Sequence, residues 1–155
     1  MDASSGTPAS ASSRDKRLDL LVTPLRSADL PWMHRLFRLR YPNNYDADTA
    51  DTWFAETVLK CPTLFLSVRT KDAFLIAMLS NKPWLPNDFD VFVVVVAADH
   101  GKIWQTPTLL RHSIVWARHR NARRWHFQSD TAHDIGPLMK RIGAREREPR
   151  YMLEL

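Results

Sequence analysis

The chain has 155 residues, of which 45% are hydrophobic and 25% are charged, and its formal net charge is +5. This length and composition are typical of a single folded domain and exclude a largely disordered protein, while the lone Cys61 excludes an internal disulfide. Because no apolar run could span a bilayer and no signal-peptide core is visible, the sequence predicts a cytoplasmic protein, and its charge favours an anionic partner.

The beginning of the chain differs in composition from the rest. Residues 2–13 are small and polar, and they cannot bury enough surface to offset the entropy of ordering them. We therefore expect residues 1–17 to form a flexible tail and residues 18–155 to form the domain. Residues 18–25 alternate well enough to predict a first strand.

Two helices are expected after this strand. Ser27 can cap the first helix, which is expected to end near Arg40. Either Asp46 or Asp48 can cap the second helix, and the Cys61-Pro62 pair ends it, because the residue before a proline disfavours the helical conformation. Both helices therefore precede the main part of the sheet.

Four segments then follow, three with the composition of strands and one with the composition of a loop. Residues 64–70 and 73–79 are separated only by Lys71-Asp72, which predicts a hairpin. Residues 80–90 contain two prolines and are expected to form a loop. Residues 91–98 form an unbroken apolar run rich in valine, which predicts a central strand that is covered on both faces.

The last third of the chain predicts alternating helices and strands. Pro107 suits the first turn of a helix that is expected to end near Asn121. Residues 124–128 form a short strand, and the helical crossover before it predicts that it lies parallel to the preceding strand. A last helix over residues 132–142 is expected to stop at Gly143, which suits the left-handed position after a helix. A final strand is expected over residues 151–155.

This order of elements resembles the GNAT superfamily of N-acetyltransferases over residues 18–155. The segment LVTPLRSADLPWM is similar to the family's opening strand and capped helix, and PLMKRIGAREREPRYMLEL is similar to its closing helix and final strands. The resemblance implies an α/β (α+β) fold with a mixed, mostly antiparallel sheet of six to seven strands. A parallel, splayed central pair and about four helices belong to that expectation.

The resemblance also implies a site for acetyl-CoA, which would lie between residues 91–98 and residues 124–128. Its pantetheine amides would pair with open backbone edges, as an added strand does. Its diphosphate would lie on the turn formed by residues 99–106 and on the next helix N-terminus, where the helix dipole favours anions. The implied cofactor-binding residues are Val94, Val95, Val96, Gly101, Lys102, Trp104, Gln105, Thr106 and Ser129.

The turn departs from the family's pattern of Arg or Gln, two residues, Gly, one residue, and Gly or Ala. The small residues of that pattern let the backbone approach the diphosphate. Here the equivalent positions hold Gly101, Trp104 and Thr106. We expect Trp104 to obstruct a standard diphosphate cradle, while Lys102 or His100 supplies positive charge.

Catalytic residues are sought near the predicted cofactor strand. Asp88, Asp90 and Asp99 are candidates for a general base, and Asp90 is the nearest to the strand. A competing interpretation is that Asp88 and Asp90 only end a loop, where aspartate is common. His133 lies beside the predicted cleft and is the second catalytic candidate.

The closing helix is a further departure from the family. Many members carry an Asn near its start and a Tyr that protonates the leaving thiolate. The aligned positions here are Ala132 or His133, and Met139, and they lack that chemistry. Acetyl transfer can still proceed through positioning when another group or water moves the proton.

Three functions are compatible with these residues, and no metal or membrane partner is expected. The first is an N-acyltransferase that transfers an acetyl group from acetyl-CoA to an amine entering over Trp84 and the second helix. The alternative is a catalytically degenerate GNAT-like structural or interaction protein, because SDTAHDIGPLMKRIGA is similar to internal virion proteins of podophages. That alternative would place the chain in the host cytoplasm or a virion. Nucleic-acid binding through Arg123-Arg124 and the preceding helix is ranked last.

Overall fold

The computed structural model describes residues 16–128 and 136–144. Within them, five strands form one mixed sheet in the order β1-β2-β3-β4-β5. The first four strands pair antiparallel with their neighbours, and β5 pairs parallel with β4, as the sequence predicts. The predicted final strand, residues 151–155, lies outside the described residues. The strands are β1 Thr23–Pro24, β2 Phe65–Arg69, β3 Ala73–Lys82, β4 Leu85–Ala98 and β5 Arg124–His126.

Four α-helices flank this sheet in the described part of the chain, and they divide its two faces between them. One hydrophobic cluster joins the first two helices to Phe74 and Ile76 of β3. The other joins the third helix to Leu75 and Ala77, because alternate residues of a strand point to opposite faces. Residues 73–77 of β3 are therefore buried on both faces of the sheet. The helices are α1 Leu30–Arg40, α2 Ala47–Trp53, α3 Thr106–His119 and α4 Gly136–Arg141.

The first strand is much shorter than predicted. Residues 16–19 form a helical turn in which Leu20 N donates to Lys16 O at 3.2 Å. Leu18 and Leu21 have the three-residue spacing of one helical face, and both are exposed. The prediction of a strand across residues 18–25 is therefore wrong for its first part, and only Thr23–Pro24 joins the sheet.

The first helix ends at Arg40 as predicted, but Ser27 is not its cap. Ser27 lies within a 3₁₀ turn, Ser27–Asp29, that leads into α1, and it is the Asp29 carboxylate that accepts a hydrogen bond there, from Arg26 N at 2.8 Å. Asp46 caps α2 because its Oδ1 accepts hydrogen bonds from Asp48 N at 2.9 Å and Thr49 N at 3.2 Å. A π-helical turn, Phe54–Val58, continues α2.

The predicted loop at residues 80–90 is instead part of a long hairpin between β3 and β4. Both strands extend through it, and Ser80 pairs with Asp90. The pairing is irregular between the pairs Lys82↔Leu85 and Asn81↔Phe89, and Pro86 lies in this stretch of β4. Its missing N–H therefore removes no hydrogen bond between the strands. Asn87 adopts a φ of 64° there. Trp84 lies at the hairpin tip and is exposed.

The third helix confirms the predicted role of Pro107, which lies in its first turn. Its buried face includes Ser113, which the periodicity did not predict. The Ser113 hydroxyl donates to Leu110 O at 2.6 Å and accepts from Trp125 Nε1 at 2.9 Å, so it ties the helix to β5. The opposite face carries exposed basic side chains, including Arg111 and His112.

The last described helix, α4, ends as predicted. Gly143 follows it with a φ of 79°, the left-handed conformation that glycine adopts without a Cβ penalty. Ala144 N donates to Met139 O at 2.9 Å. The predicted start of this helix at residue 132 lies outside the described residues. Each helix in residues 16–128 and 136–144 is too short or too polar to cross a lipid bilayer.

Candidate active site

The two parallel strands β4 and β5 pair over only three residues. The pairs are Asp90↔Arg124, Val91↔Trp125 and Phe92↔His126. β5 ends at His126, whereas β4 continues to Ala98. Along residues 93–98, no other described strand pairs with the edge of β4 that faces β5. Within the described residues, that edge therefore has no strand partner, and an edge of this kind can pair with an extended ligand.

A β-bulge lies just beyond the last pair. Ile76 of β3 is opposite Val95 of β4, and Ala77 is opposite Val93, so Val94 is an extra residue. A bulge of this kind bends its strand and increases the local twist. The Val94 side chain is 44% exposed, although it lies in the most apolar part of the chain. The bulge therefore lies just beyond the point where the pairing of β4 with β5 ends.

The turn after β4 is tied to the turn between β2 and β3. Asp99 N donates to Asp72 O at 2.7 Å, and Lys102 N donates to Asp99 O at 2.9 Å. In the described part of the chain, no hydrogen bond is made by the main-chain N–H groups of Gly101, Ile103 and Trp104. These groups precede the N-terminus of α3 and can serve as donors to an anion.

Gln105 holds this turn in place. Its side chain is fully buried, and its Oε1 accepts from Thr70 Oγ1 at 2.7 Å and from Asp72 N at 3.0 Å. Its Nε2 donates to Asp72 Oδ2 at 3.0 Å. Both polar atoms of the Gln105 side chain thus have hydrogen-bond partners within the protein. Gln105 can therefore contact a cofactor only through its main chain.

The other predicted cofactor residues lie along the same edge and turn. Val95 packs in the core beneath α1, and Val96 packs on the α3 face, so their side chains face away from the open edge. Gly101 has a φ of 70°, and a side chain added there would meet open space. The Thr106 hydroxyl donates to Ile103 O at 2.7 Å.

The remaining predicted residues differ in how far the structure describes them. Lys102 and Trp104 are half-buried in the turn. Ser129 and His133 lie outside the described residues. The prediction that Ser129 contacts the cofactor and the prediction that His133 is catalytic therefore remain predictions.

Asp90 lies inside the paired part of β4 and is not the end of a loop. Its carboxylate is buried, and its Oδ1 accepts from Arg124 Nε at 2.8 Å. Arg124 also donates from Nη2 to Asp88 Oδ1 at 2.8 Å, and Lys82 Nζ lies 3.5 Å from the other Asp88 oxygen. A row of alternating charges therefore joins β3, β4 and β5.

The charges in this row perturb one another. Desolvation acts to raise the pKa of Asp88, but the hydrogen bond and charge of Arg124, together with Lys82, lower it below its ordinary value. The hydrogen bonds that Arg124 donates to Asp90 and Asp88 raise the pKa of Arg124. Both shifts favour the charged forms, so the row holds β4 and β5 together as ion pairs.

His126 lies at the end of this pairing, and the sequence analysis gave it no role beyond its place in the strand beside the predicted cofactor. Its Nε2 lies 3.1 Å from Asp90 Oδ2, and its ring stacks on Phe92 with a centroid distance of 4.5 Å. It is the last residue of β5, at the point where the strands part. Parallel pairing places His126 on the same face as Asp90 and Phe92. Only the register of β4 against β5 could have identified it.

A second polar cluster lies between α1 and α2. His34 Nε2 lies 2.6 Å from Asp51 Oδ1, and His34 Nδ1 is hydrogen-bonded to the Tyr45 hydroxyl. Burial raises the pKa of Tyr45, Arg38 lowers it, and Asp51 and Asp46 raise it further, with a net shift upward. A cavity of about 350 Å³ adjoins this cluster. Its lining includes Asp46 and the aromatic rings of Phe37, Tyr41, Tyr45 and Trp53.

This geometry is that of the GNAT fold, and solved acetyltransferase structures share it over most of the chain. A protein from Agrobacterium tumefaciens strain C58 that is assigned as an acetyltransferase superposes with a TM-score of 0.71. The match covers 87% of this chain and 99% of that one at 15% identity. The mixed α/β fold expected from the sequence is therefore confirmed, although the described residues form five strands and not the expected six to seven.

Two further structures show how widely the same fold is used. An aminoglycoside acetyltransferase from an uncultured soil metagenomic sample, solved with sisomicin, has a TM-score of 0.60, with 13% identity over 87% of this chain and 95% of that one. A transcriptional regulator from Bacillus halodurans C-125 has a TM-score of 0.68, with 10% identity over 87% and 99%. No protein-family model and no curated protein matches the chain.

Proposed function

We propose that this chain is a GNAT-like N-acyltransferase that transfers the acetyl group of acetyl-CoA to an amine. The observation that carries the proposal is the parting of β4 from β5 after Phe92, beside a bulge at Val94 and upstream of the α3 N-terminus. A pantetheine arm supplies amides that can pair with the open edge of β4. The turn after Ala98 supplies N–H donors for a diphosphate.

The positive charge near this turn supports an anionic cofactor. Lys102 is half-buried within the turn, and His100 is exposed next to it. Asp99 would oppose an anion, but Arg35 Nη2 donates to its Oδ2 at 2.7 Å and offsets that charge. The bulky Trp104 remains the residue that we expect to hinder the approach of a diphosphate to the backbone.

The acceptor is proposed to reach the thioester from the side of α1 and α2. The cavity between these helices combines aromatic rings with the Asp46 carboxylate. Aromatic faces and a carboxylate together favour a cationic amine. The cavity between α1 and α2 therefore suits a cationic amine acceptor better than an anionic acceptor.

Isothermal titration of the chain with CoA and acetyl-CoA tests the proposed cofactor. We expect saturable binding, weakened about two- to fivefold in Lys102→Ala through loss of one charge pair. Arg111→Ala is the matched control, because it removes a charge from the exposed face of α3 and should leave binding unchanged. Trp104→Gly should tighten CoA binding, because it removes the side chain that we expect to hinder the approach of the diphosphate to the main chain. Absence of binding at millimolar CoA would refute the proposal.

The non-catalytic alternative is favoured by one specific observation. The two positions where the family carries small residues hold Trp104 and Thr106, and the Thr106 hydroxyl is already bonded within the turn. A degenerate protein of this kind would bind CoA weakly and release no thiol from acetyl-CoA with any amine. The structural likenesses carry no information about a phage or virion origin.

A further inference from the structure

We propose that His126 is the general base of the acyl transfer and that Asp90 positions it. This inference rests on the proposed function, and it assigns the proton-transfer step to a residue that the sequence analysis gave no catalytic role. It also gives Asp90, the sequence-based candidate for the base, a different role. Four observations about the end of β5 carry it.

The first observation is the location of His126. The diphosphate end of acetyl-CoA is proposed to lie on the turn after Ala98, so the acyl end lies at the opposite end of the open edge. The span from Phe92 to Ala98 is roughly 20 Å of extended strand. An arm laid along that edge delivers its thioester toward Phe92 and His126, which form the last pair before the strands part.

The second observation is the orientation of the imidazole. Its Nε2 lies 3.1 Å from Asp90 Oδ2, and a carboxylate can only accept a hydrogen bond. The hydrogen therefore sits on Nε2 in the neutral ring, and Nδ1 keeps a lone pair that can take a proton. Among the described residues, Nδ1 has no hydrogen-bond partner. Stacking on Phe92, with an interplanar angle of 10°, restrains the ring further.

The third observation separates the two residues by accessibility. The Asp90 side chain is 11% exposed, whereas the His126 side chain is 29% exposed. Both Asp90 oxygens already have partners, Arg124 on Oδ1 and His126 on Oδ2. For Asp90 to act as the base, a buried ion pair would have to break, which is costly. His126 can accept a proton while that ion pair stays intact.

The fourth observation is the charge around the imidazole. Asp90 and Asp88 on β4 face Arg124 on β5 and Lys82 on β3, so two carboxylates are balanced by two cations. The Asp90 carboxylate can stabilise the imidazolium that forms during the reaction. The imidazole is thereby placed to gain and release a proton in each turnover.

The step itself balances without an additional reactant. A cationic amine first loses one proton to solvent. The neutral amine nitrogen then attacks the thioester carbonyl carbon, the N–C bond forms, and the C–S bond breaks. The amine loses one proton to His126 Nδ1, and CoA leaves as the thiolate. The proton then passes from His126 to the thiolate or to solvent, which gives the amide and CoA thiol.

The test measures thiol release from acetyl-CoA with spermidine, sisomicin and a lysine-containing peptide as acceptors. His126→Ala should lower kcat by roughly 100-fold or more with CoA affinity unchanged, because general base catalysis contributes about that factor. Added imidazole should restore part of the activity of His126→Ala. Asp90→Asn should lower kcat less and shift the pH profile of kcat. His112→Gln, on the exposed face of α3, is the matched control.

The outcomes distinguish the two proposals. Turnover by the wild-type chain together with an undiminished kcat in a folded His126→Ala variant overturns the role of His126 alone. A wild-type chain that binds no acetyl-CoA overturns the proposed function and this inference with it. Nitrogen NMR adds an independent measurement: a His126 hydrogen on Nδ1 instead of Nε2 in the free protein also overturns the inference.

Discussion

The two halves of β4 differ in what holds them in place. Residues 85–92, the paired half, are flanked by β3 on one side and, at the end of the half, by β5 on the other. Residues 93–98, the open half, pair only with β3 among the described strands. The paired half contains Asp88, Asp90 and the irregular stretch at Pro86, whereas the open half consists entirely of valine and alanine. The half with the stronger strand composition is therefore the half that lacks a second neighbour.

This difference shows that a candidate binding site can form where a strand of strong β composition has one edge without a neighbouring strand. The ion pairs of Arg124 fix β5 against the paired half, and the bulge at Val94 turns β4 away immediately afterwards. The open half is then held by β3, by core packing of Val95 and Ala97, and by the turn that follows it. Its exposed main chain is the feature to which a ligand can add.

The largest effect should come from truncating a buried valine in the paired half. Val91 is fully buried against α3, so Val91→Ala should lower the free energy of unfolding by about 2–3 kcal/mol through lost burial and the cavity left behind. Val94→Ala is the matched truncation in the open half and should cost less than about 0.5 kcal/mol. Urea unfolding measures the free energy of unfolding of both variants. Equal losses in Val91→Ala and Val94→Ala would contradict the difference between the two halves.

A somewhat smaller effect is expected at the turn that ends the open half. Gln105→Ala would leave the buried hydrogen-bonding groups of Thr70 and Asp72 without their partner, at a cost of about 1–3 kcal/mol. It should also weaken CoA binding, because the turn would lose its anchor. Thermal unfolding and titration with CoA check the two consequences. Unchanged binding in a folded variant would show that this turn does not hold the cofactor.

The smallest effect is expected from the outer carboxylate of the paired half, and it depends on pH. Because the folded-state pKa of Asp88 is lowered, its contribution to stability is present above the ordinary value of about 3.9 and is lost as pH falls through the lowered pKa. Asp88→Asn should remove that contribution at neutral pH and flatten the fall in Tm below about pH 4. Asp48→Asn, at an exposed position on α2, should leave the fall unchanged.

The sequence predicted the parts of the fold that depend on neighbouring residues. Asp46 caps α2, Pro107 starts α3, and Gly143 ends α4 because each acts on main-chain groups within a few residues of itself. The parallel direction of β5 was also predictable, since a helical crossover imposes it. The loop predicted at residues 80–90 was wrong because prolines are tolerated where β4 is irregular.

The candidate site was predictable only in outline. The resemblance to GNAT proteins predicted a cofactor along the open half and the turn after it, and the short pairing of β4 with β5 leaves that edge without a described strand partner. His126 was given no catalytic role because a histidine in a short strand has no distinguishing local pattern. Gln105 was predicted to bind a cofactor, although its side chain is used to anchor the turn.

By itself, the sequence determined most of the helices and strands, the C-terminal ends of α1 and α4, and the mixed α/β class, because these follow from local propensity and periodicity. Only the tertiary structure decided which edge of β4 stays open and which side chains meet at the fork of β4 and β5. Asp90 and His126 are 36 residues apart in sequence, and their contact depends on a strand register that no local pattern encodes. A shift of one residue would have placed them on opposite faces of the sheet.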